Sequence, residues 1–131
     1  MIHRIDVQVT TPLHATEVGE RVEAAVTTLF PAAEVEERHG EVVAETHSLE
    51  RLRERLREQN IVDAAREVFL GSLEGETFAF DLKKQAALEG VVTFAVGSPD
   101  ELGSLHVRVR VEEPSAEAFI DYLAPQSGDG A

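Results

Sequence analysis

Seven side chains in this sequence have the type and spacing to grip phosphate. Arg51, Arg53, Arg55 and Arg57 fall in the stretch SLERLRERLREQ, Arg108 and Arg110 stand two residues apart, and Lys83 is one of only two lysines, beside Lys84. Guanidinium and ammonium groups neutralise phosphate oxygens and release counter-ions, so the chemistry is non-covalent contact with a polyanion. Residues 48–60 carry four bases and three acids, against three bases and nine acids in residues 1–47, so the arginine stretch is a local positive island. A plainer use of the same residues is a solvated helix stitched by Glu50–Arg53 and Glu54–Arg57 pairs three residues apart, each contributing about 0.2–0.5 kcal/mol. The two uses differ in where the arginines point. Arginines paired to glutamates of their own helix leave little for an RNA.

Covalent chemistry finds no comparable pattern. The chain has no P-loop, no dinucleotide-binding glycine motif, no nucleophile elbow and no HExxH. It has no cysteine, which excludes thiolate metal sites and cysteine nucleophiles. The five histidines (His3, His14, His39, His47, His106) are scattered. His39 and His47 flank a turn and could approach one another, but turn and surface positions account for them without a metal. Ser72, after Gly71, lacks a companion base at a recognisable spacing. The expectation is a protein that is not an enzyme, with no cofactor and no small-molecule substrate.

The elements that must carry the basic residues are readable from periodicity. Ile5, Val7 and Val9 alternate with Arg4, Asp6 and Gln8, a strand with one buried face, ended by Pro12. Thr16 and Glu17 open a helix that places Val18, Val22, Ala25, Val26 and Leu29 on one stripe and closes at Phe30-Pro31. AEVEERHGEVVAET, residues 33–46, reads as a hairpin around His39-Gly40. Ser48 caps the arginine helix, which shows Leu49, Leu52 and Leu56 on its apolar side. Asn60 and Asp63 start another helix, burying Ile61, Ala65 and Val68 and stopping at Gly71 or Gly75. Phe78, Phe80 and Leu82 alternate with Ala79, Asp81 and Lys83. VVTFAV, residues 91–96, reads as a buried strand and GSPDELG as a loop. Leu105, Val107, Val109 and Val111 alternate with His106, Arg108 and Arg110. Pro114-Ser115 starts a last helix with Phe119, Ile120 and Leu123.

The order β-α-β-β-α-α-β-β-β-α, dominated by hairpin connections, predicts an α+β fold: a two-layer sandwich of a mixed or mainly antiparallel sheet with helices on one face. Residues 1–124 form a single domain in this reading, and residues 125–131 a disordered tail. If the strands bearing Lys83 and Arg108/Arg110 are neighbours, a basic patch forms on the polar face. Lys83 then points to that face, and Lys84 opens the connection KQAALEG, where close packing gives it a structural use.

Twelve bases against twenty-five acids leave a net charge of −13. Scarce lysine, retained arginine and many small residues point to adaptation to a salt-rich cytoplasm, where carboxylates hold water and counter-ions screen their repulsion. Stability is expected to rise steeply with KCl, because the Debye length grows as salt falls and self-repulsion returns. A melting temperature equal in dilute buffer and molar KCl would exclude this. No apolar run approaches the ~20 residues of a membrane span, and MIHRIDVQVT alternates as a strand does. A cytoplasmic setting is expected, with no membrane contact.

Several phrases together resemble a known family. They are Ala15-Thr16-Glu17, Leu29-Phe30-Pro31, IVDAAR (residues 61–66), KQAALEGVVTF (residues 84–94) and Leu102-Gly103, and the likeness runs to about Leu123. The family is an uncharacterised archaeal one, family 0201, similar in fold to the large-subunit ribosomal protein that binds 5S ribosomal RNA. The resemblance implies a ribosomal-protein-like fold and an RNA-binding-like role, and assigns no catalytic residue. It also implies a gene neighbour, sometimes fused, that is a nucleotide-kinase-like protein linked to coenzyme A synthesis. Two functions stay open. One is contact with structured RNA through Arg51, Arg53, Arg55, Arg57, Lys83, Arg108 and Arg110. The other is a protein-interaction or regulatory module, a homodimer or a partner of the kinase-like protein, using a sheet edge or the last helix.

Overall fold

The computed structural model describes residues 3–95 and 103–126. Its elements run β1 (Arg4–Pro12), α1 (Gly19–Leu29), β2 (Glu34–Arg38), β3 (Glu41–Thr46), α2 (Glu50–Glu58), α3 (Val62–Gly71), β4 (Thr77–Lys83), α4 (Lys84–Leu88), β5 (Ser104–Glu113) and α5 (Ala116–Leu123). The strands make one five-stranded sheet in the order β2-β3-β1-β5-β4, antiparallel throughout. The α+β class and the antiparallel sheet are as the alternation patterns require.

Period-two alternation decides which face is covered. Val7 and Val9 of β1, Val42 and Ala44 of β3, Phe78, Phe80 and Leu82 of β4, and Leu105 to Val111 of β5 are buried on one side. Val26, Leu29, Leu52, Leu56, Phe69, Ile120 and Leu123 join them from the helices. Each such side chain contributes about 1.5–3 kcal/mol on leaving water. Phe69 makes ring contacts with Phe78, Phe80 and Phe94, locking α3 onto β4. Arg4, Asp6, Gln8, Glu41, Glu45, His106, Arg108 and Arg110 alternate with the buried residues and stand exposed on the other side. The sheet is therefore open on one face, and that face is polar.

Local signals fared unequally. His39 (φ 48°) and Gly40 (φ 80°) form the hairpin turn between β2 and β3, as the His-Gly pair requires. Ser115 caps α5, accepting from the Ala118 N–H at 3.1 Å. Thr16 does not cap α1, which begins later, after Val18, with no side-chain cap. Glu17 instead accepts from the His14 N–H, and its carboxylate turns to Lys84. Ser48 accepts from the Glu50 N–H at 3.3 Å, although the residue flanking α2 is Leu49. Asn60 takes φ 58° and makes no capping box, because its backbone closes α2 instead, with the Asn60 N–H on the Arg57 carbonyl and the Ile61 N–H on the Leu56 carbonyl. Phe69 is buried on α3, whereas Ile61 and Val68 are half-buried.

The stretch 91–95 runs beside β4 but pairs through one bridge, Leu82 to Phe94, and residues 84–88 coil as α4. Helix formers Lys84, Gln85, Ala86, Ala87 and Leu88 favour that turn over an extended connection. Side chains of α2 satisfy the irregular backbone that follows. Arg55 donates to the Gly90 carbonyl at 2.6 Å, and Gln59 exchanges two bonds with Val92. Val96 and most of the loop GSPDELG lie outside the described residues, as do residues 127–131 of the expected tail. No helix among the described residues is long and apolar enough to cross a membrane.

One polar atom on the covered side has no partner. Thr11 is buried, and its hydroxyl makes no hydrogen bond among the described residues. Thr11→Val removes a desolvated hydroxyl and keeps the shape, so it is expected to stabilise the fold by about 1 kcal/mol. Urea unfolding measures this, and a destabilised variant would mean the hydroxyl is solvated after all.

Candidate functional site

Pairing of β4 with β5 places the sequence-predicted strand cations on one face. Lys83 lies opposite Ser104, Asp81 opposite His106, Ala79 opposite Arg108 and Thr77 opposite Arg110. On the other flank of β5, Thr10, Gln8 and Asp6 of β1 stand opposite His106, Arg108 and Arg110. At about 3.4 Å per residue, neighbouring outward positions of β5 are ~7 Å apart. The result is a stripe along the outer face with Lys83 at one end and Arg110 at the other.

Two of these cations are uncommitted. Arg108 and Lys83 are exposed, and neither side chain makes a hydrogen bond or ion pair among the described residues. Arg110 is held loosely, 3.9 Å from Glu76, with both side chains more than half exposed. An exposed pair of that kind contributes little to stability, so Arg110 can turn to a ligand. The His106 ring binds the Asp81 carboxylate through Nδ1 at 2.8 Å.

Beside the arginines lies a depression of about 380 Å³, with Gln8, Asp6, Glu45 and His47 on its far side. The His47 Nδ1–H donates to the Ile5 carbonyl at 2.9 Å and lies 3.2 Å from Asp6. The carbonyl, and then Asp6, Glu45 and Glu34, favour the protonated ring and push the His47 pKa up from its usual value. The charge at this edge of the face therefore becomes more positive as pH falls, beginning above the pH at which an ordinary histidine protonates. Beyond it the face turns acidic, with Glu34 directly opposite Glu45 across β2 and β3.

The arginine helix does not join the stripe. Arg53 Nε donates to the Tyr122 carbonyl at 2.9 Å, and its guanidinium lies 4.2 Å from the centroid of the Tyr122 ring. Arg55 is spent on Gly90 and on Glu58, 2.7 Å away. Arg51 pairs with Glu54 at 3.1 Å. Arg57 alone is exposed with no hydrogen bond or ion pair among the described residues. The expected Glu50–Arg53 and Glu54–Arg57 pairs do not form, because Arg53 is drawn onto α5 and Glu54 onto Arg51. Three of the four arginines thus stitch α2 to itself, to α5 and to the connection after α4.

Lys84 is likewise structural. It is 4% exposed, donating to the Pro12 carbonyl at 2.7 Å and to Glu17 at 3.0 Å. Residues that the charge pattern passed over, Gln8, Thr10, Thr77 and Ser104, join the stripe through register. Their alternation marked them as outward, but no one-dimensional signal shows which strands are neighbours.

A family model described as RNA binding matches residues 6–112. A UPF0201 protein of Methanopyrus kandleri is 47% identical over 85 residues, covering 63% of this chain and 54% of that protein. A UPF0200/UPF0201 protein of Archaeoglobus fulgidus is 35% identical over 130 residues, covering 96% of this chain and 39% of that protein. The chain thus spans about half or less of these relatives' length. The crystal structure of a UPF0201 protein from Methanococcus jannaschii superposes with a TM-score of 0.88 at 32% identity, covering 96% of this chain and 97% of that one. A protein from Methanothermobacter thermautotrophicus, at 22% identity and TM-score 0.61, shares the fold.

Proposed function

The chain belongs to the UPF0201 family and to the family described as RNA binding, and on that premise we propose that the open face of its sheet contacts structured RNA without catalysis. The observation that carries this is the pair of uncommitted cations, Arg108 and Lys83, on an outer face shared with Arg110. The core lies on the opposite side, so these cations take no part in its packing. Kinship in fold with the 5S-RNA-binding ribosomal protein belongs to the same proposal, as do a salt-rich, cytoplasmic setting and the acidity that goes with it.

A second reading is a module that docks on another protein. It is favoured by the Archaeoglobus fulgidus relative, named for two families, of which this chain matches 39%. A pull-down from an archaeal lysate in molar KCl separates the two, with RNA sequencing and mass spectrometry on one eluate. Enriched structured RNA, lost with Arg108→Ala/Arg110→Ala, is the expected result. Protein partners without enriched RNA would overturn the first reading in favour of the second.

A further inference from the structure

We infer that the ligand of the open face is double-helical RNA, gripped along one phosphate backbone; this rests on the RNA reading above. The whole chain holds six phenylalanines, one tyrosine and no tryptophan, and none of these rings is available to a base. Five phenylalanines are buried in the core, and Phe94 packs on Phe69 and Phe80. Tyr122 lies between Arg53, 4.2 Å from its centroid, and His3, whose ring centroid is 4.5 Å away. Binding of single strands depends on rings that stack bases, each stacked base contributing about 1–3 kcal/mol. Among the described residues the face shows only the His106 ring, held to Asp81, and the His47 ring at its edge, held to the Ile5 carbonyl, so its grip on unstacked bases is weak.

What the face offers instead is a row of cations with hydroxyls beside them. Arg108 and Arg110 lie on β5 and Lys83 on the adjoining β4, opposite Ser104; Asp81 and His106 stand between Lys83 and Arg108, Thr10 lies opposite His106, and Thr77 and Asp6 flank Arg110. From Ser104 to Arg110 the row spans ~20 Å at 3.4 Å per residue. Point charges in line suit a stiff phosphate backbone, and hydroxyls suit the 2′-hydroxyls of a shallow A-form minor groove. Glu45 on β3 and Glu34 on β2, beyond β1, repel any second backbone laid across the sheet. The footprint is therefore narrow, about three phosphates.

Titration of the full chain with labelled RNA tests this, using a duplex of about 16 base pairs, an unstructured strand of equal length and the corresponding DNA duplex. Measurements run over KCl concentrations at which the far-UV spectrum is unchanged. The RNA duplex should bind about tenfold tighter than the strand, the equivalent of 1.4 kcal/mol, and independently of sequence. Its affinity should fall with salt with a logarithmic slope near −3, at about 0.9 per phosphate, and Arg108→Ala should reduce that slope by about one. A strand that binds as tightly as the duplex overturns this inference and leaves the RNA reading standing. Equal affinity for the DNA duplex overturns the role given to the hydroxyls and with it the choice of RNA duplex. Unchanged duplex binding by Arg108→Ala overturns the placement on β5. No binding of any RNA overturns both this inference and the RNA reading.

Discussion

Lys84→Met is expected to destabilise the fold by about 3 kcal/mol, the scale of a buried ion pair broken from one side. The Lys84 side chain is 5% exposed and that of Glu17 10%. Methionine fills the volume of the lysine stem but leaves the Glu17 carboxylate and the Pro12 carbonyl without their ammonium donor. The ammonium joins three parts of the chain, the end of β1, the turn before α1 and the start of α4. Thermal unfolding should show a midpoint lower by roughly 10 °C. Glu17→Gln combined with Lys84→Met should recover much of this, because the uncompensated charge is then gone. If the double variant is no more stable than the single one, the carboxylate is not the cause.

The pH dependence follows from Glu17. Burial alone raises its pKa. The His14 N–H and the Lys84 ammonium outweigh that and hold the carboxyl below its usual range. A folded-state value below the unfolded one (about 4.3) stabilises the protein above the unfolded value, and this contribution is lost as pH falls through the folded value. In Lys84→Met the burial cost remains while the His14 N–H is left to oppose it without the ammonium, so Glu17 should protonate more readily. The gap between variant and wild type should therefore be widest near neutral pH and narrow below about pH 4.3. A gap independent of pH would mean that lost packing, and not lost charge, destabilises the variant.

Gly103→Ala is the second large effect, expected at about 3 kcal/mol. Gly103 has φ 83°, and a Cβ there would lie 2.6 Å from Cγ and 3.2 Å from Cδ of Pro12. The conformation alone costs a non-glycine residue about 1–2 kcal/mol. The rest comes from the contact, because a proline ring cannot rotate aside as the end of a flexible chain can. Gly103 stands where β5 begins beside the end of β1, so the strain falls on the ladder that carries the basic stripe. Gly40→Ala is the control, with φ 80° and open space around its Cβ. It should show only the conformational cost. Pro12→Ala should soften the effect of Gly103→Ala, and a double-mutant cycle by urea unfolding reads that coupling. Equal losses for Gly40→Ala and Gly103→Ala would remove the ring contact from the account.

Much of the site was legible in one dimension. Alternation in DLKK and LHVRVRV puts Lys83, Arg108 and Arg110 on outward faces, because a strand with one buried side exposes every second residue. It also separates Lys83 from Lys84, and the structure leaves the first exposed and buries the second. The arginine helix was the misleading signal. Four arginines in seven residues make a positive island on paper, yet Arg53 and Arg55 find carbonyls 69 and 35 positions away in the chain. No local rule anticipates such partners.

By itself the sequence determined the α+β class, the hairpin at His39-Gly40, the Ser115 cap and the polarity of each strand face, all properties set within a few residues. Only the tertiary structure decided that β4 lies beside β5, which turns three separate cations into one stripe. It also decided that Glu17, 67 residues from Lys84, neutralises a buried ammonium. Both depend on which surfaces meet when the apolar faces close on one core. That choice is made by packing the whole chain at once, and periodicity within a segment carries no record of it.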